Sequence, residues 1–222
     1  MSTNASTLES HSRPSAGNGG DRCALVISLL LFLTFFYFFL SSGRVRTMDE
    51  VSAAFQVESL ARHGTTAIPQ AVDAKMFYGT FDRFGRPESP YPPGQAVALL
   101  PWYAAGQFVA RHLPGVAAGA RDVISDFFLT GESALFSALA VALALFIFLQ
   151  LGIAPKISFL AVAILALATP VAAYSGWLFS EPIAAALLLS AAAVLFVQPP
   201  EMSIPAWRAL AAGALLGAAV FA

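Results

Sequence analysis

A single cysteine, Cys23, and three histidines, His11, His63 and His112, are nearly all the soft-donor chemistry in this chain of 222 residues. One thiol excludes an internal disulfide and any cysteine-based metal cluster, and its place at the start of an apolar run reads as inert. The histidines show no metal-ligand spacing. Charge is also scarce. Only 11% of residues are Asp, Glu, Lys or Arg, and the formal net charge is −1, so nothing argues for nucleic acid or an acidic partner. Hydrophobic residues fill the gap. They make up 58% of the chain, against about 45–50% in ordinary soluble domains, and come in long uninterrupted runs. The mean hydropathy is +0.72. The expected fold class is all-α, a polytopic transmembrane helical bundle.

Residues 1–22 are rich in Ser, Gly, Asn and Pro and read as a disordered cytoplasmic tail. The membrane part covers 23–222, with spans at about 23–40, 131–153, 157–179, 183–198 and 207–222. These lengths are close to the roughly 20 residues that cross a bilayer core. The first run exceeds the roughly 7–15 apolar residues of a cleaved signal peptide, and Ser41-Ser42-Gly43 is a weak cleavage site, so it reads as an uncleaved anchor. A long external loop, 41–128, follows, with short helices at about 48–62 and 94–111 and a small hairpin around Asp82-Arg83-Phe84-Gly85. The last run is still apolar at Ala222, which points to an N-terminal piece of a longer protein, truncated inside a helix.

Topology decides what the few acids mean. Positive charge collects in short cytoplasmic loops, whereas long excursions escape that rule. Arg13 and Arg22 put the N-terminus inside and Asp49 outside. If 94–111 lies in the interface, Lys156 and Arg208 are also inside, and Glu181 joins Asp49 on the outer face. If 94–111 crosses, Lys156 moves outside and Glu181 inside. The first arrangement fits the charges better, and Trp102, Tyr103 and the prolines suit an interfacial helix.

Thr47-Met48-Asp49-Glu50 has the form of a capping box, with Glu50 reaching back to the Thr47 amide. Helix capping alone accounts for both acids. The functional alternative leaves the cap to Glu50 and turns Asp49 toward a reaction site, where a carboxylate accepts a proton from an attacking hydroxyl. Ser180-Glu181-Pro182 has the same two readings, helix start or site. Tyr174, Ser175 and Trp177 precede it in a span that also carries Pro170. Glu132, at the mouth of its span, is a weaker third candidate for the site or simply a boundary residue. Tyr91-Pro92-Pro93-Gly94-Gln95 is either punctuation before a helix or a rigid lip beside a groove. Lys75, Arg83 and Arg86 either meet lipid phosphates there or only solvate the loop.

In their order along the chain, one span, Asp49-Glu50 in a short helix, a Pro-rich approach to an amphipathic helix and then Phe179-Ser180-Glu181-Pro182 between close spans, these residues resemble the N-terminal part of the GT-C glycosyltransferases. That group includes protein O-mannosyltransferases and the bacterial aminoarabinose transferases of lipid A. The resemblance covers roughly Cys23 to Ala222 and rests on short motifs. It implies a multi-pass protein of the bacterial inner membrane, with a cytoplasmic N-terminus, that moves a sugar from a polyprenyl-phosphate donor to a lipid, glycan or protein acceptor at the outer face. By carry-over, Asp49 is the general base, Glu50 supports or orients it, and Glu181 lines the same cavity. A divalent metal ion near Glu181 is the one cofactor the resemblance leaves room for. Some relatives place a lysine just before the proline that opens the interfacial helix; here Tyr91-Pro92-Pro93 stands in that place.

Two other classes fit the composition. A transporter or lipid flippase would use membrane-embedded acids for coupling, although these acids sit at span ends and no inverted repeat is visible. A non-catalytic membrane scaffold would tolerate neutralisation of both acid sites.

Overall fold

The structure, a computed structural model, describes residues 19–115, 117–196 and 204–222. The expected disordered tail lies outside these residues except for its last turn, Gly19–Arg22, which is already helical. The fold is all-α, with one hairpin of two-residue strands, β1 (Thr80–Phe81) and β2 (Pro87–Glu88), paired antiparallel. Two helices are long and apolar enough to cross a membrane: α1 (Gly19–Leu40) and α5 (Ala118–Gln150).

These two helices run antiparallel along each other. At one end the Arg22 guanidinium donates to the Leu149 carbonyl at 3.3 Å. At the other, Phe38 meets Phe127 edge-on with centroids 4.4 Å apart, and the Ser41 hydroxyl hydrogen-bonds that of Thr130 at 2.9 Å. Between them Leu33 and Tyr37 pack on Ala134, Ala138, Val141 and Leu145. Small residues let the two backbones approach closely, which is how helices associate where no water drives them together. Phe32, Phe35 and Phe39 on the far side of α1 are exposed.

At 33 residues, α5 rises about 50 Å and projects well past the end of α1. The helix begins inside the expected external loop 41–128, thirteen residues before the expected span 131–153. Arg121, Asp122 and Asp126 break the apolar run without breaking the helix. Glu132 is therefore not a boundary residue. It lies mid-helix and fully buried.

The projecting part of α5 carries α4 (Gly94–His112), and α2 (Met48–His63) packs on α4. Two glycines permit this. A Cβ on Gly106 would stand 3.0 Å from the Ser125 Cα, and one on Gly131 would press on the Phe38 and Trp102 rings at 2.6 and 2.9 Å. Because α4 pairs with the segment of α5 around Ser125–Gly131, it stays at one end of the bundle.

The span expected over 157–179 is not one helix. α6 (Pro155–Leu167) stops, the Thr169 hydroxyl caps the Val171 amide of a single helical turn, α7 (Pro170–Tyr174), and the chain then runs irregularly to α8 (Glu181–Phe196). Pro170 is the cause: it has no N–H to offer the carbonyl of Ala166 four residues earlier. The Tyr37 hydroxyl from α1 donates to that carbonyl instead, at 2.8 Å and fully buried. α9 (Ala206–Phe221) packs on α8 and ends with Phe221 against Gly94.

Tyr37→Phe is expected to lower stability by about 1–3 kcal/mol, because it leaves the Ala166 carbonyl buried and unpaired. In a Pro170→Ala background, where residue 170 regains an amide, the same substitution should cost measurably less. Thermal midpoints of the four proteins in detergent form the double-mutant cycle, and equal costs in the two backgrounds would refute the substitution of one donor for the other.

Candidate functional site

At the end of the bundle where α1 finishes, three segments enclose a cavity of about 270 Å³. The first turn of α2 brings Asp49. The approach to α4 brings Tyr91 and Gln95. The stretch from the end of α7 to the start of α8 brings Tyr174, Leu178, Phe179, Ser180 and Glu181.

Glu50 fixes this arrangement. It is almost wholly buried, at 1% exposure, yet its carboxylate is fully engaged. Oε2 accepts the backbone amides of Arg46 and Thr47 at 2.7 and 2.8 Å, and Oε1 accepts that of Leu178 at 2.8 Å. The Thr47 hydroxyl returns the favour to the Glu50 amide at 3.3 Å, completing the capping box. Such charge-assisted bonds are short and roughly twice as strong as neutral ones. One side chain thus caps α2 and ties it to the chain 128 residues later. Leu178 also buries its side chain among Ala53, Val57, Ala96, Leu99 and Leu129, so the tie is packed on both sides.

Of the three carboxylates expected at the site, Asp49 and Glu181 share the cavity, while Glu50 does not line it and acts as the residue that positions them. Successive helical residues point about 100° apart, so an inward Glu50 leaves Asp49 turned to the opening.

Tyr91 faces Asp49. Its phenol is pushed up to about 12, first by hydrogen bonding to the Asp49 carboxylate, then by burial, and then by the charges of Asp49, Tyr78 and Glu181. A phenol so raised stays protonated and remains a donor to Asp49 throughout the neutral range. The sequence motif around Tyr91 was legible as a rigid lip, but nothing in it announces this partner.

Gln95 is buried at 5% exposure, and its Nε2 has no hydrogen-bond partner among the described residues. Of the basic residues expected either to meet lipid phosphates or to solvate the loop, Arg86 pairs with Asp82 at 2.8 Å inside the hairpin, and both Arg83 and Arg86 lie over Phe84. Among the described residues no basic side chain lines the cavity.

Comparison with protein-family models, curated proteins and solved structures finds no match. The chemistry of the cavity has to be argued from its own residues.

Asp49 and Glu181 supply two carboxylates, and no cluster of three or more His, Cys, Asp or Glu side chains suited to a metal forms among the described residues. The donor set falls short of a protein-built metal cage. What the arrangement can do is accept a proton at Asp49, hold hydroxyl groups between two acceptors, and stack aromatic faces of Tyr91, Tyr174 and Phe179 against a ligand.

Two outcomes are expected. In Asp49→Asn, Tyr91 should titrate closer to the ordinary phenol value of about 10, read from the phenolate absorbance that Tyr91→Phe removes. The sign follows from a folded value above the unfolded one. The stabilising effect is complete below pH of about 10 and is lost as pH rises from there through about 12. Glu50→Gln offers only one acceptor oxygen for three amides, and should cost about 2 kcal/mol in thermal stability while also relaxing the Tyr91 titration. An unchanged Tyr91 in Glu50→Gln would show that the tie to Leu178 does not position the cavity.

Proposed function

We propose that this chain is a multi-pass membrane protein that transfers a sugar from a polyprenyl-phosphate donor to an acceptor hydroxyl, in the manner of the GT-C enzymes it resembles. The observation that carries the reading is the convergence of Asp49 and Glu181, 132 positions apart in sequence, on one cavity at one end of the bundle. The opposite end supports the orientation. Arg22 lies beside Leu149 there, Lys156 opens α6 just after α5 ends, and Arg208 lies with Trp207 beside Phe146 and Val194. Basic residues in short loops favour that end as cytoplasmic, whereas those of the long segment between α1 and α5, Arg44 and Arg46 among them, escape the rule. The cavity then faces outward, on the periplasmic side of a bacterial inner membrane.

The reaction requires that an acceptor O–H lose its proton as its oxygen bonds to the anomeric carbon. Asp49 takes the proton. The bond from the anomeric carbon to the phosphate oxygen breaks, and its electron pair leaves with the polyprenyl phosphate. Attack from the face opposite the leaving group inverts the anomeric centre. Glu181, across the cavity, accepts hydrogen bonds from sugar or acceptor hydroxyls. Tyr91 holds the Asp49 carboxylate in orientation without neutralising it.

A second reading, transport of a lipid or solute, is favoured by one observation. Glu132 is fully buried within a membrane-length helix, with Oε2 accepting from Ser133 and Oε1 unpartnered among the described residues. Ionisable groups at membrane depth commonly mark coupling sites. Glu132 does not line the cavity, however.

Asp49→Asn should reduce transfer from a radiolabelled polyprenyl-phosphate sugar by about 100-fold or more, the lower bound for removing a general base, while insertion is unchanged. Full transfer in that variant would sink the base assignment. Movement of labelled lipid across the bilayer without sugar release, abolished in Glu132→Gln, would favour transport instead.

A further inference from the structure

Two further cavities adjoin where α2 and α4 meet the projecting part of α5, and neither shares a residue with the Asp49–Glu181 cavity. One, of about 290 Å³, is lined by Glu58, Arg62, Tyr103, Gln107, Asp122 and Asp126 among others. The other, of about 370 Å³, is lined again by Arg62, Tyr103 and Gln107, and by Phe108, Arg111 and His112 beyond them. The shared residues join them into one trough, which falls inside the roughly 300–1,000 Å³ of small-molecule sites.

The trough is divided by charge. Arg62 stands at the division and is already committed: it pairs with Glu58 at 3.0 Å, and its Nε donates to the Tyr103 hydroxyl at 3.1 Å. To one side, Asp122 and Asp126 lie one turn apart on α5, where like charges repel. They also lie beyond the first turn of α5, so the helix dipole does not account for them. To the other side stands Arg111, in the last turn of α4. Among the described residues, neither Arg111 nor either aspartate forms an ion pair. A simple anion would meet Arg111 but face the aspartates, and a simple cation would meet the aspartates but face Arg111. A molecule that carries both charges meets both sides.

The outer face of α4 decides the source of such a molecule. Val97, Pro101, Ala104 and Phe108 recur at three- and four-residue spacing and are all exposed. They form an apolar stripe that leads to Arg111 and His112. A helix with an outward apolar stripe and a basic end lies in the head-group layer of a membrane.

We infer that this trough holds the head group of a zwitterionic phospholipid. Its phosphate sits on the Arg111 guanidinium, its ammonium on Asp122 and Asp126, and its acyl chains follow the stripe of α4. The inference needs the chain to lie in a membrane and is independent of sugar transfer.

Native mass spectrometry of the full chain in detergent micelles tests this with three probes: dioctanoyl-phosphatidylethanolamine, its N-acetyl derivative, which lacks only the ammonium charge, and free phosphoethanolamine. The first lipid is expected to bind at least about ten-fold more tightly than the N-acetyl form, the loss that follows from one charged hydrogen bond. Asp122→Asn combined with Asp126→Asn should abolish that preference. Arg111→Gln should weaken both lipids alike and keep their ratio. Equal binding of the two lipids by the wild type, or an intact preference in the aspartate variant, would overturn the inference. An unchanged Arg111→Gln would overturn the place given to the phosphate, and free phosphoethanolamine binding as tightly as the lipid would overturn the membrane source. Should the double variant fail to fold, Asp122→Asn alone, at an exposed position, carries the same comparison with a smaller loss.

Discussion

The carboxylate of Glu50 is the constraint on which the rest of this end of the molecule depends. A charged side chain at 1% exposure is tolerable only if its oxygens are fully used, and here three backbone amides use them. Two of those amides belong to the turn before α2, and the third belongs to Leu178. Between α7 and α8 the chain has no helix or sheet to satisfy the Leu178 amide, so the side chain of a distant helix supplies the acceptor. Asp49 is brought opposite Glu181 as a result. The neighbouring acids divide the work by helix geometry, one turned into the protein to hold it and one turned out to the cavity.

Much of this was legible in the sequence, and the reasons it was legible are local. Thr47 and Glu50 stand at capping-box spacing, and the structure forms the box. Asp82 to Gly85 carry turn chemistry between short extended stretches, and the hairpin forms there. The third partner of Glu50 was invisible because a backbone amide has no sequence signature; only the fold decides which amide arrives. Apolar runs also misled about lengths. A hydropathy reading sees where polarity begins, so Asp126 and Arg121 appeared to end a helix that continues past them to Ala118. In 157–179 the same reading noted Pro170 but kept one span, whereas its missing amide divides the run at Leu167.

Glu132 shows the same limit from the other direction. By sequence it stands where polar residues give way to apolar ones, which suggested a boundary residue. By packing it is enclosed, because α4 and α8 both lie along α5 and cover what a lone span would leave open. Burial is a property of neighbours, and the sequence of one helix does not contain them.

The division of α6 from α7 has a consequence for the surrounding lipid. α6 is 13 residues long and rises about 20 Å, against a hydrocarbon layer of roughly 30 Å. If the chain crosses a bilayer as proposed, this flank is hydrophobically mismatched while α1, at 22 residues, is not. Lipids beside α6 have to thin to meet it. The thinned bilayer would then lie on the flank from which the chain leads through α7 to Glu181.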